Sequence, residues 1–290
     1  MRTYLKRLLI FIYILFIMVL VIIDQKKIFT ITLDTLSLWL YKVFPPILIF
    51  YILSSLLLSS NAINILVILL KPLRKFLRFE TDNAFKLFII SIFLGNPSSS
   101  VFTISYLENG NITYNDANVL NKCSSFITPL FIFSLLPFNT SFFIYIAHIL
   151  SNILICIFLT RNNKLFIKKE NPKLINFFDY LEKIPQILFK IAILMIMCNI
   201  FSYSLSLIKV NSYLLTILEL STGSFKIISM QSIYKLYYLL FLISFNGFCI
   251  HLQVYTIIKD RLSYLSFLMF RIIQGFISLI LFFLINTYFT

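Results

Sequence analysis

The chain has 290 residues, of which 60% are hydrophobic and 12% charged, against about 25% charged in an ordinary soluble domain. Mean hydropathy is +0.94, and apolar runs such as 8–23 and 276–285 recur along the chain, which excludes a soluble globular fold and points to a polytopic helical protein embedded in a lipid bilayer. The net charge of +14 does not indicate nucleic-acid binding, because the basic residues stand between apolar segments, where positive charge reports orientation.

A crossing needs about 20 apolar residues, so the chain holds roughly six crossings and several shorter pieces. Arg2, Lys6 and Arg7 precede the first apolar run, 8–23. Asp24, Gln25, Lys26 and Lys27 follow it with no small-residue cleavage site. A retained helix is therefore expected in an N-terminal segment 1–30, with the N-terminus in the cytoplasm. The next unit, 31–137, opens with a crossing over 35–58 that carries Pro45 and Pro46 at its middle. Trp39 and Tyr41 fit an interfacial aromatic anchor, and Lys42 a snorkelling side chain. Residues 61–70 are too short to span. Lys71, Arg74, Lys75, Arg78 and Lys86 mark a cytoplasmic loop, in which Leu73, Phe76 and Leu77 suit an amphipathic surface helix.

An apolar segment then breaks at a polar tip. Residues 87–94 lead to Gly95-Asn96-Pro97-Ser98-Ser99-Ser100, and apolar character resumes over 101–107. Each half is about half a crossing long, which predicts a re-entrant hairpin opening on the cytoplasmic side, followed by a turn at Asn109-Gly110-Asn111. Residues 119–136 are expected to cross outward and 142–159 to cross back. The connecting region 138–183 ends in a basic loop with Arg161, Lys164, Lys168, Lys169, Lys173 and Lys183.

The second unit, 184–290, starts from the cytoplasm. Residues 184–207 cross outward, with Pro185 near the start and Lys190 as a snorkelling or packing residue. A short piece, 211–220, carries Glu219, which reads as an interfacial cap in preference to a proton site. The segment 234–258 breaks at Phe245-Asn246-Gly247 and reads as a second hairpin, opening outside, with Lys259, Asp260 and Arg261 as its outer turn. Residues 264–289 then cross inward. This arrangement puts 15 Lys and Arg inside, 7 outside and 3 within crossings, in agreement with the positive-inside rule. Asn96 and Asn246 lie 150 positions apart, and at that offset Ile112-Thr113-Tyr114 falls on Leu262-Ser263-Tyr264. The expected fold is all-α, with two inverted repeats that each contain a re-entrant helical hairpin, an arrangement that marks transporter substrate sites.

The tips supply the candidate chemistry. Breaks in a membrane helix must face protein or water. Pro97 ends one half-helix, Gly95 and Gly247 permit unusual backbone angles, and Ser98 and Ser99 open the next half-helix, whose free N–H groups favour an anionic oxygen. Asn96, Asn246 and Gln253 add neutral donors and acceptors. A polar stripe of Asn121, Ser124, Ser125 and Thr128, ending at Pro129, follows the first tip. Arg271 and Gln274 follow the second, and an intramembrane Arg faces the bundle or snorkels outward. Gly95, Asn96, Pro97, Ser98, Ser99, Asn121, Ser124, Ser125, Asn246, Gly247, Gln253 and Arg271 are therefore the candidate binding residues for a small, anionic solute. Cys123, Cys156, Cys198 and Cys249 have no metal-ligand or disulfide spacing, and His148 and His251 lack carboxylate neighbours. With no phosphate loop or catalytic constellation in view, neither an enzyme nor a cofactor is expected.

Several of these motifs resemble a known family. Leu38-Trp39-Leu40 with Val43-Phe44-Pro45, Leu94-Gly95-Asn96-Pro97-Ser98-Ser99, Leu107-Glu108-Asn109-Gly110-Asn111-Ile112-Thr113, Asn121-Lys122-Cys123-Ser124-Ser125 with Pro129-Leu130-Phe131-Ile132, Leu218-Glu219-Leu220-Ser221-Thr222-Gly223, and Ser244-Phe245-Asn246-Gly247 with His251-Leu252-Gln253-Val254 resemble, in order, sporulation integral membrane proteins of the YlbJ type, which contain the nucleoside-recognition Gate domain. The resemblance implies a multi-pass transporter-like protein that moves dipicolinate, or a nucleoside-like solute, across the outer forespore membrane. A non-transporting Gate-fold protein with a structural or regulatory role in sporulation is the alternative.

Overall fold

The computed structural model describes residues 2–163 and 177–289, and every regular element among them is helical. Lys164, Lys168, Lys169 and Lys173 of the expected basic loop lie outside the described residues. Among the described residues five helices are long and apolar enough to cross a membrane, consistent with a multi-pass membrane protein.

Helix α1 (Arg2–Ile23) is followed after Asp24 by α2 (Gln25–Leu38), which runs through a widened π turn at Trp39–Val43 into α3 (Phe44–Ser59). The resulting 35-residue helix contains the boundary expected at residue 30. The π turn sits just ahead of Pro45 and Pro46, which lack the N–H groups a regular helix would use there. Trp39 and Tyr41 thus lie at the middle of this helix, not at its end, and Trp39 packs edge-on against Phe44 at 5.2 Å. Short helices α4 (Ile63–Leu69) and α5 (Lys71–Phe76) follow.

Helices α6 (Asp82–Leu94) and α7 (Ser98–Glu108) fold back on one another. Thr81 caps α6 by accepting from the Ala84 N–H. At the open end, Asn83 Nδ2 donates to the Asn111 carbonyl at 3.1 Å, while the turn at 95–97 closes the far end.

The expected crossing over 119–136 is interrupted. Helix α8 (Tyr114–Cys123) unwinds at 124–128 before α9 (Pro129–Phe133). Pro129 disfavours helical backbone at Thr128, and Thr128 is extended, with ψ 135°. The whole stretch runs antiparallel to α10 (Phe138–Thr160). Asn152 Nδ2 donates to the Ser125 carbonyl at 3.0 Å, His148 Nε2 accepts from the Ile127 N–H at 3.3 Å, and Tyr145 meets Phe133 nearer the other end.

After α11 (Phe177–Leu181), helix α12 (Ile184–Leu207) lies antiparallel to the α2–α3 helix. Asn199 donates to Thr35 at one end, and at the other Phe102 stacks on Tyr180 and meets the tilted ring of Tyr51. Next come α13 (Ser212–Thr216), a turn at 217–219, and α14 (Leu220–Ser229). Gly223 approaches the Thr216 backbone so closely that a Cβ there has no room.

The second broken segment differs from its expected form. Helices α15 (Lys235–Phe245) and α16 (Gly247–Ile258) do not fold back on each other. Both lie along α17 (Tyr264–Phe289) in one antiparallel order. Ring contacts pair Tyr237 with Phe282, Phe241 with Phe276, His251 with Phe267 and Tyr255 with Tyr264, at 5.1–5.7 Å. The positive φ values of Asn246 and Gly247 (77° and 62°) interrupt the helix without reversing it. Lys259, Asp260 and Arg261 consequently stand at the same end of the bundle as the open end of α6–α7, where Arg261 Nε contacts Glu108 Oε1 at 3.2 Å. The chain thus twice follows the order helix pair, interrupted helix, long helix: α6–α7, α8–α9 and α10, then α13–α14, α15–α16 and α17. Helices α10 and α17 pack directly together.

Candidate functional site

The four interruptions converge at the centre. The Asn96 N–H donates to the Phe126 carbonyl at 2.9 Å, joining the α6–α7 turn to the unwound stretch between α8 and α9. In the other half, the Phe248 and Cys249 N–H groups, freed by the break before α16, donate to the Ile217 and Leu218 carbonyls at 2.9 and 2.8 Å. Backbone groups released by each break are thus satisfied by the neighbouring break, as burial at membrane depth demands.

The glycines permit this approach. A Cβ on Gly95 would stand 3.0 Å from the Thr128 nitrogen, and one on Gly247 3.1 Å from the Leu220 nitrogen. Both glycines also have positive φ, which L side chains disfavour.

Side chains tie the halves together. Asn96 Nδ2 and Asn246 Nδ2 both donate to Ser125 Oγ. Asn96 Oδ1 in turn accepts from the Ser99 and Ser100 hydroxyls at 2.6 and 3.1 Å. Gly95, Asn96, Pro97, Ser98, Ser99, Ser124, Ser125, Asn246 and Gly247 are therefore brought to one place. Ser98 Oγ and Asn246 Oδ1 are buried there with no hydrogen-bond partner among the described residues. Asn121 lies in the same cleft, and its Nδ2 reaches the Ser263 carbonyl at 3.3 Å.

A cavity of about 50 Å³ adjoins these breaks. Of the expected residues, Asn96, Pro97 and Gln253 line it, and Gln253 Oε1 is buried with no partner among the described residues. Val43 and Ile47 at the π turn, Thr128, Glu219 and Ser221 complete its polar and apolar walls. A second cavity of about 310 Å³ shares Pro97, Ile191 and Gln253 with the first. It reaches Glu108 and Lys183 at the end of the bundle that holds Arg261, so it forms a vestibule leading to the centre.

Arg271 plays another part. Its side chain is fully buried, neither snorkelling nor among the residues that line the central cavity. The guanidinium donates to the carbonyls of Lys122 and Ser125 and to the side-chain oxygens of Asn152 and Gln274. It also stands over the Phe267 ring at 5.4 Å. Lys122 and Ser125 flank the unwound end of α8, where carbonyls have lost helical partners and the helix dipole is negative. Arg271 supplies those partners from α17 and so fixes the break in the other half.

Glu219 stands deeper than its sequence setting suggests. It does cap a helix: its carboxylate accepts from the Ser221 and Thr222 N–H groups at 3.0 and 2.6 Å. However, it is only 3% exposed and faces the central cavity instead of an interface. An acid in so apolar a segment was the available signal, because intramembrane carboxylates mark functional sites by default. The four cysteines are all buried thiols. No family model, curated protein or solved structure matches the chain.

Proposed function

We propose that this protein is a membrane transporter that moves a small polar solute through the central cavity, alternately exposed to the two faces of the membrane. The observation that carries this reading is the cavity bounded by Asn96, Pro97, Thr128, Glu219, Ser221 and Gln253, where four helix interruptions meet and a vestibule arrives from one end. Interrupted helices repeated in two halves of a membrane protein are a transporter device, and the breaks line the solute path.

The two units are read as inverted repeats, with the α6–α7 pair entering from the cytoplasm and the α13–α14 pair from outside. With Lys259 and Arg261 at the inner end, 17 Lys and Arg lie inside and 5 outside, a steeper bias than the expected arrangement gave. The N-terminus is then cytoplasmic, and the vestibule opens inward.

The solute class rests on chemistry and on motif order. Helix N-termini at Ser98 and Gly247 favour an anionic oxygen, and the ordered motifs resembling YlbJ-type proteins favour dipicolinate during spore formation, at the outer forespore membrane. Glu219 adds a requirement: the solute also brings a donor, or Glu219 carries a proton. Uptake of labelled dipicolinate by proteoliposomes tests the reading. Saturable uptake above that of protein-free vesicles is expected, and uptake no greater than theirs contradicts it.

One observation favours a second reading. Asn96 already spends both ends of its amide on Ser99, Ser100 and Ser125, as a residue that only holds the breaks together would. A non-transporting Gate-fold protein would show that pattern and no uptake.

A further inference from the structure

Helix α12 measures depth through the bundle. It is 24 residues long, about 36 Å at 1.5 Å per residue. The inner vestibule touches it at Gln186 and Lys190, and the central cavity at Ile191 and Met195. A third cavity, of about 440 Å³, touches it at Asn199, Ser202 and Ser206, towards its opposite end. Glu219 lines the central cavity, and its immediate neighbour in hydrogen bonding, Thr222, lines this outer one.

The connection between them is polar throughout. The Thr222 N–H donates to a Glu219 oxygen, the Thr222 hydroxyl donates to Asn199 Oδ1 at 2.9 Å, and Asn199 Nδ2 donates to Thr35 at 3.1 Å. On the other side of Glu219 the central cavity is lined by Gln253, a residue 4% exposed whose Oε1 is buried with no hydrogen-bond partner among the described residues. A space of about 50 Å³ has room for one or a few waters between such groups. Among the described residues Glu219 makes no ion pair. The Cys249 thiol on α16 stands close to Glu219, with the Cys198 thiol on α12 beside it. Lys27, Asp34 and Lys226 stand at the outer cavity and Lys190 at the inner one.

A lone carboxylate with no cation beside it, between cavities at opposite depths, has the placement of a proton carrier. We infer that Glu219 is a proton-binding site that exchanges with both cavities, and that its protonation is coupled to solute movement. In one cycle a proton from the outer cavity adds to a Glu219 oxygen and is donated towards Gln253 Oε1. It leaves through the inner vestibule, restoring the carboxylate. The coupling half of this inference rests on the transport reading; the proton-binding half does not.

Infrared difference spectroscopy of the full-length protein in lipid, titrated from acid to alkaline pH, tests the binding half. The expected result is a protonated-carboxyl band that titrates in the wild type and is lost in Glu219→Gln. A titration identical in the two proteins overturns it, because Asp116 and other acids would then account for the band. If Glu219→Gln does not fold, Thr222→Val replaces it, keeping the backbone cap and removing the hydroxyl towards Asn199. Slowed exchange of the carboxyl proton for deuterium is then expected, and unchanged exchange overturns the inference. Dipicolinate uptake with and without a pH gradient tests the coupling half. Uptake that ignores the gradient overturns coupling and leaves transport standing. A titrating Glu219 in a protein without uptake overturns transport and leaves the proton site.

Discussion

Asn96 and Asn246, 150 residues apart and in different halves of the chain, donate their side-chain amides to the same atom, Ser125 Oγ. One hydroxyl thus joins the α6–α7 turn, the α8–α9 break and the α15–α16 break. Ser125→Ala removes that acceptor and orphans two buried amides, at about 1–3 kcal/mol each. A lower melting temperature in detergent is expected, larger than for Ser124→Ala, whose hydroxyl bonds only within its own helix. Equal losses would show that Ser125 does not join the halves.

The tip glycines have an internal control. Gly95, Gly110 and Gly247 all have positive φ, but a Cβ at Gly110 meets nothing within 4 Å. Gly110→Ala should cost roughly 1–2 kcal/mol of backbone strain. Gly95→Ala and Gly247→Ala add a clash with a neighbouring break and should cost more. Thermal unfolding of the three variants checks the order, and parity among them would show that the close approach is unimportant.

Arg271 is fully buried and serves carbonyl oxygens, so lysine is not an adequate substitute. The guanidinium spreads its donors over Lys122, Ser125, Asn152 and Gln274, whereas an ammonium is a single point with three donors. Arg271→Lys is expected to lose about 2–4 kcal/mol through unsatisfied buried carbonyls. Thiol labelling of Cys123, which is buried beside the break, should also rise as the break loosens. Labelling at the wild-type rate would count against this role.

Asp116 carries a pH dependence at the open end of the α6–α7 pair, outside the membrane-spanning helices. Its carboxylate accepts from the Glu80 and Thr81 N–H groups and the Thr81 hydroxyl at 2.6–2.9 Å. Burial nevertheless pushes its pKa from 3.8 to about 6. Because the folded value is the higher one, the folded state binds the proton more tightly. That stability is complete below about pH 4 and is lost as pH rises through about 6. The shift corresponds to at most roughly 3 kcal/mol. Relative to Asp116→Asn, the wild type should melt at a higher temperature at mildly acidic than at neutral pH. A difference between the two proteins that does not change with pH would contradict this.

Long apolar elements were legible in the sequence. Helix α12 begins and ends where the run 184–207 does, and α17 matches 264–289. The tips at Asn96 and Asn246 were legible as well, because polar residues, glycine and proline interrupt apolar runs there. The path of the chain through those tips was not. A pair of helices that folds back and a helix that merely breaks share one hydropathy profile, and only packing along α17 separates them. The break at 124–128 was hidden because Phe126 and Ile127 keep the segment apolar, although Pro129 marked its end. Glu219 read as a cap, which it is, but its depth depends on contacts 29 and 30 residues away, at Phe248 and Cys249, which bond to Ile217 and Leu218; the numbering offset of these pairs is 31.

On the proposed function, a solute passes between the breaks that Asn96 and Asn246 hold. The most direct test is dipicolinate uptake into proteoliposomes by the wild type and by the Asn96→Ala, Asn246→Ala double variant, with folding of both verified by their elution as a single species. Saturable uptake by the wild type and at least about a tenfold loss in the variant are expected, equivalent to about 1.4 kcal/mol or more of binding free energy. Uptake by the double variant at the wild-type rate would contradict that reading.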